Sequence, residues 1–168
     1  MKKFKLLRIA AIAAIIFVNI GCDQVSKTVV RHHVEYNEQI SLIDGFFTLT
    51  KVENTGAFLS LGNQLPPAVK VILLNLFPLL AMLAAIVFVL KYVKISKMLL
   101  IGVCFIIGGG IGNLYDRVLH GSVTDFMHMD FGIFQTGVFN MADVSIMAGV
   151  FICMCYSYFS RSSVPVTS

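Results

Sequence analysis

The sequence predicts an all-α membrane protein with four transmembrane helices, a small extracytoplasmic β-sheet and an interfacial amphipathic helix. Composition gives the class. Of the 168 residues, 57% are hydrophobic and 13% charged, against about 25% charged in an ordinary soluble domain, and the mean hydropathy is +0.84. A soluble fold of this length has too little interior to hide so much apolar side chain, so lipid must cover part of it. Four apolar runs of spanning length and a one-sided distribution of charge supply the rest.

A span needs about 20 mostly apolar residues to cross roughly 30 Å of hydrocarbon. The first runs from Leu6 to Val30, interrupted by Asp23 and Lys27, and the second from Ala68 to Leu90, just after Pro66-Pro67. Met98 to Val118 is the third and Val138 to Phe159 the fourth. Within residues 38–65, the alternating stretch Phe46-Phe47-Thr48-Leu49-Thr50-Lys51-Val52 is bounded by Asp44-Gly45 and Asn54-Thr55-Gly56. That pattern predicts a strand pair or curved sheet at the interface. Residues 119–137 mix Phe, Met and His with two aspartates, and are expected to form an amphipathic helix on the membrane surface. Residues 1–160 form one domain on this reading, and 161–168 a disordered cytoplasmic tail.

Charge sets the orientation. Lys2, Lys3, Lys5, Arg8, Lys91, Lys94, Lys97 and Arg161 fall on one side with no acid among them. By the positive-inside rule this side is cytoplasmic, so both termini are inside. The other half carries Lys27, Arg31, Lys51, Lys70 and Arg117 and all nine acids. A net charge of +4, scattered in this way, excludes nucleic acid as a partner. Cys22, Cys104, Cys153 and Cys155 lie in apolar runs and lack the spacing of a disulfide framework or zinc site. The four histidines form no HExxH, and no Walker or dinucleotide motif occurs, so neither metal nor cofactor is expected.

The N-terminus imitates a lipoprotein secretion signal, with a basic start, an apolar run and Gly21-Cys22. Three further spans argue against removal of this segment. Asp23 and Lys27 lie at i and i+4, the spacing of an ion pair on one helix face, which predicts that the helix continues past Cys22.

Ionisable groups inside spans are costly and usually functional. Asp143, in Phe139-Asn140-Met141-Ala142-Asp143, has no cation within ten residues on either side. It needs a partner from elsewhere, either Arg117 or another acid sharing a proton. The third span ends in Gly108-Gly109-Gly110-Ile111-Gly112-Asn113-Leu114-Tyr115-Asp116-Arg117, followed by Val123-Thr124-Asp125-Phe126. Gly108 and Gly112 form a GxxxG pair for close helix packing, and Asn113 and Arg117 share a helix face. Asp116 fits an interfacial charge or a catalytic role equally well. Two carboxylates held close in a poorly hydrated site share one proton, so that one activates water and the other polarises a carbonyl. No G-x-S-x-G elbow and no Ser/Lys or Ser/His dyad within a span offers a nucleophile instead. A proton carrier would also use intramembrane carboxylates, but near the midplane and often between repeated halves. Here they cluster at one face, and no repeat is visible.

At these residues the chain resembles bacterial lipoprotein signal peptidase (signal peptidase II), a family of intramembrane aspartic proteases. The matching blocks are Asp23-Gln24-Val25-Ser26-Lys27, Asn54-Thr55-Gly56-Ala57-Phe58, Gly112 to Arg117 leading into Val123 to Phe126, and Phe139 to Asp143. One departure is visible: Phe58 directly follows Ala57 where the family often has a second alanine. The resemblance implies that Asp125 and Asp143 are the catalytic pair, which leaves Asp116 a supporting residue. It implies that Asn54, Asn113, Arg117 and Asn140 position substrate and pair, with Gly56 and Ala142 in the same motifs, and that Asp23 and Lys27 shape the site. The implied substrate is a prolipoprotein carrying diacylglyceryl-cysteine, cut just before that cysteine. The enzyme is expected to act as a monomer among membrane lipids of the bacterial inner membrane, with its site near the outer leaflet.

Overall fold

In a computed structural model, described for residues 2–56, 62 and 64–161, four long helices carry a three-stranded sheet on one end of their bundle. Helix α1 spans Lys2–His33, and strands β1 (Gln39–Ile43) and β2 (Phe47–Asn54) follow. Helix α2 covers Pro67–Lys91 and α3 Lys97–His120. Strand β3 (Val123–Met129) and helix α4 (Met141–Arg161) complete the order. All four helices have the length and apolarity of a membrane span. Residues 162–168, expected to be a tail, and Ala57-Phe58, where the family pattern departs, lie outside the described residues.

α1 is unbroken through Cys22, as the Asp23/Lys27 spacing predicts. α2 begins with Pro67 in its first turn, where a missing N–H costs nothing. It widens over Val71–Leu76, where the Phe77 N–H reaches back five residues to the Ile72 carbonyl. Pro78 supplies no N–H for the next bond, and the wide turn absorbs that loss. Arg8 of α1 donates to the Val89 and Tyr92 carbonyls at 2.7 and 3.1 Å, closing the far end of α2. In α3, the Ser96 hydroxyl caps the start by accepting the Leu99 N–H. Gly121, at φ 76°, ends it in the left-handed conformation.

Small residues let the helices approach. The GxxxG pair of α3 faces α1: a Cβ at Gly108 would sit 2.6 Å from the Asn19 Cβ, and one at Gly112 2.6 Å from an Asp23 carboxylate oxygen. Gly109 and Gly102 face α4 with equally little room. Ile12, Val89, Cys104 and Ile107 form the core between helices, and Val30, Val34, Phe126 and Met127 a second core under the sheet.

The sheet is antiparallel throughout, in the order β1-β2-β3. The Asp44-Gly45 turn joins β1 to β2, as expected. The third strand corrects the expected surface helix over 119–137: Val123–Met129 pairs with β2, Val52 opposite Asp125 and Asn54 opposite Val123, and no helix follows before Met141. The reason is burial. Val123 to Met127 are all buried, so the strand shows no alternation of polar and apolar residues to announce it.

Candidate active site

The sheet end of the bundle gathers the polar residues into two connected groups. The first lies between α1 and α3. Lys27, fully buried, places its ammonium 2.8 Å from an Asp23 oxygen, 2.9 Å from an Asp116 oxygen and 3.0 Å from the Asn113 side-chain oxygen. The ammonium donates hydrogen bonds to Asp23 and Asn113 and is paired by charge with Asp116. Arg31 adds a second cation 3.0 Å from Asp116. Gln24 donates to both Asp23 and Asp116. Gly112 is the hole that admits the Asp23 carboxylate. The other oxygen of Asp23 accepts the Ala142 N–H at 2.9 Å, in the first turn of α4, where helix N–H groups lack partners and favour an anion.

The second group holds Asp125 on β3 and Asp143 on α4. Asn140 and Asp143 form a capping box: the Asn140 side-chain oxygen accepts the Asp143 N–H at 3.0 Å, and an Asp143 oxygen accepts the Asn140 N–H at 3.1 Å. This fixes the Asp143 rotamer. Its other oxygen accepts from the Asn113 amide at 2.9 Å. The side-chain donor to Asp143 is thus Asn113, which the sequence did not propose, while Arg117 and Asp125, the two expected candidates, act on it through charge. Asp125, 3% exposed, accepts from Asn54 at 2.9 Å and from Asn140 at 2.6 Å. The Asn140 amide also donates to the Asn113 oxygen at 3.2 Å. Asn140 and Asn113 therefore join the two carboxyl groups in one network. Burial pushes the Asp125 carboxyl up to about 6, against the Asn54 and Asn140 donors, and the Asp143 charge adds to the rise.

Arg117 donates to the Gly56 carbonyl at 2.9 Å, and its buried Nε has no hydrogen-bond partner among the described residues. Gly56 in turn donates its N–H to Asn54. Every residue expected at the site thus falls in this region. Glu53, one of the nine acids of the outer half, is given no role by the sequence. It accepts hydrogen bonds from Ser122 and from Thr124. The Asn140-x-x-Asp143 spacing is a local signal that could have revealed the capping box.

Two grooves meet at Asp143. One, of about 700 Å³, runs between the 135–139 loop and the Val144, Met147 and Phe151 side of α4. The other, of about 410 Å³, lies between Leu73, Leu74 and Pro78 of α2 and Asn113, Arg117 and Ile146. Both are mostly apolar, so an apolar chain can lie beside Asp143.

A multi-span membrane protein whose buried polar site opens onto apolar grooves is suited to act on a membrane-held substrate. The sequence profile of signal peptidase (SPase) II matches residues 15–159, and the chain belongs to that family of proteases. It is 33% identical over 145 residues to the lipoprotein signal peptidase of Streptococcus pneumoniae (strain ATCC BAA-255 / R6), covering 86% of this chain and 90% of that protein. The lipoprotein signal peptidase of Clostridium novyi (strain NT) is 32% identical over 136 residues, covering 80% and 88%. A solved bacterial membrane enzyme, determined by the in meso method, shares the fold with a TM-score of 0.84 at 22% identity, covering 95% of this chain and 94% of that one.

Proposed function

We propose that this chain is an aspartic endopeptidase that removes the signal peptide from diacylglyceryl-modified prolipoproteins by cleaving just before the lipidated cysteine. The observation that carries this reading is the Asp125/Asp143 arrangement. Among the described residues, two carboxyl groups from separate elements accept hydrogen bonds from amide N–H donors alone and are joined through Asn140 and Asn113. Neither forms an ion pair with a described cation, and burial favours the protonated form of Asp125.

The ionised carboxylate takes a proton from water as its oxygen attacks the scissile carbonyl carbon, while the protonated one donates to the carbonyl oxygen. Collapse of the tetrahedral intermediate breaks the C–N bond and passes a proton to the leaving amine. Arg117, whose Nε has no hydrogen-bond partner among the described residues, and Asn113 hold the peptide backbone beside the pair. The two apolar grooves take the acyl chains and the apolar signal sequence. The sheet end faces the outer leaflet and both termini face the cytoplasm of the bacterial inner membrane. This follows from the exclusive placement of Lys2, Lys3, Lys5, Arg8, Lys91, Lys94 and Lys97 toward the other end. The enzyme works as a monomer surrounded by lipid.

The test is cleavage of a purified diacylglyceryl prolipoprotein by wild type, Asp125→Asn and Asp143→Asn. Wild type releases the signal peptide and both variants lose at least about three orders of magnitude in kcat. Cleavage that survives either substitution rejects the pair, and a folded wild type that leaves the substrate intact rejects the activity.

A further inference from the structure

Strand β3 has a second anchor next to Asp125. Successive side chains of a strand point to opposite faces, so Thr124 turns away from the face that Asp125 presents. Thr124 is fully buried. Its hydroxyl accepts from the Arg31 Nε at 2.8 Å and donates to a Glu53 oxygen at 2.8 Å. A hydroxyl has one proton to give, so the Glu53 bond leaves its lone pairs for Arg31. Two residues on, Phe126 packs with Val30 in the last turn of α1 and with Val34 just beyond it. The rear of β3 is thus fixed to α1 by one polar and one apolar contact. Arg31 continues the connection through its 3.0 Å pair with Asp116, which meets Lys27, then Asn113, then Asp143.

We propose that Arg31 and Thr124, with Glu53 as the terminal acceptor, are positioning residues that set where β3 holds Asp125 relative to Asp143. This rests on the reading of Asp125 and Asp143 as the reacting pair. The Asn140 and Asn113 amides join the carboxyl heads, but they cannot fix the strand on which one of them rides. The Arg31 fork does, because Nε and a terminal nitrogen hold Thr124 and Asp116 together. A lysine there has one nitrogen in place of two spaced ones, so it lacks the fork that reaches the Thr124 hydroxyl and Asp116 from separate atoms. A displacement of about 1 Å between reacting groups costs on the order of a hundredfold in rate. Loss of the anchor therefore acts on kcat and leaves the grooves that bind substrate unchanged.

The experiment compares wild type, Thr124→Val, Thr124→Ser, Arg31→Lys and the Arg31→Lys/Thr124→Val double variant, with kcat, KM and thermal unfolding measured on the same preparations. Valine keeps the shape of threonine, so packing is retained while the hydroxyl is removed. Thr124→Val and Arg31→Lys each lower kcat by about ten- to a hundredfold with KM within about twofold. Thr124→Ser restores kcat to near wild type, and the double variant is no slower than the slower single one, because both remove one anchor. Wild-type kcat in Thr124→Val, failure of Thr124→Ser to rescue, or losses that multiply in the double variant overturn the proposal. A Thr124→Val variant that unfolds early is replaced by Glu53→Ala at the half-exposed end of the chain, which must then lower kcat at unchanged KM. Thr124→Val matching wild type while Asp125→Asn is dead rejects only the anchor. Cleavage that persists in Asp125→Asn rejects the pair and the anchor with it.

Discussion

Asp23 and Asp116 on one side, and Asp125 and Asp143 on the other, are two pairs of aspartates in one small region with opposite surroundings. The first pair is met by cations, Lys27 and Arg31, at 2.8 to 3.0 Å. Among the described residues, the second accepts hydrogen bonds only from amide groups of Asn54, Asn113, Asn140 and the backbone. A buried carboxylate needs compensation. Ammonium and guanidinium groups supply it as fixed charge, which makes the first pair a structural joint between α1, α3 and α4. Amide dipoles compensate only in part, which leaves the second pair able to carry a proton. What separates the cation-paired acids from the proposed reacting pair is the type of neighbour each acid has.

Substitutions can erase this contrast. Lys27→Met removes the cation from the first pair and leaves two acids buried without their main partner. It should cost about 3–5 kcal/mol of stability, read as a large fall in thermal midpoint in detergent. A variant that melts like wild type would show that the joint is not held by charge. Asn113→Ala strips Asp143 of one donor and Lys27 of one acceptor, and should lower kcat on the order of a hundredfold with a smaller effect on folding. Unchanged turnover there would mean that the capping box alone orients Asp143.

The pH dependence of stability sharpens the second pair. The Asp125 carboxyl is raised from 3.8 to about 6, so the folded protein binds its proton more tightly than the unfolded chain does. The favourable contribution is complete below the unfolded value and is lost as pH rises through about 6. Relative to Asp125→Asn, which has no proton to lose, wild type should become less stable between pH 4 and pH 7, the window those two values define. Parallel melting curves across that range would contradict the assignment. The smallest effect belongs to Gln24→Leu, which removes a neutral donor from a pair already held by cations. About 1 kcal/mol is expected, with cleavage retained.

The same contrast explains what the sequence made legible. The spans were readable because bilayer thickness imposes a length and a composition that local counting detects. The Asp23–Lys27 pair was readable because four residues on a helix is a local distance. Strand β3 was not, since burial on both faces removes the alternation that marks a strand. The partner of Asp143 was not either: Asn113 is thirty residues away in sequence, and an asparagine in an apolar span does not announce which acid it will meet. Glu53 looked like a solvated charge because Ser122 and Thr124, which donate to it, come from the far side of two further spans. Local spacing carries local pairs, and the docking of β3 and α4 supplies the rest.

Asn140 has a consequence for biosynthesis. One side chain caps α4, aligns Asp143 and reaches across to Asp125. On the proposed function, assembly of the hydrolytic centre and docking of the last helix are therefore a single event. A nascent chain with three helices inserted holds Asp125 without Asp143, so the proposed pair forms only when the final segment has settled into the bilayer, a built-in order of operations that needs no separate inhibitor.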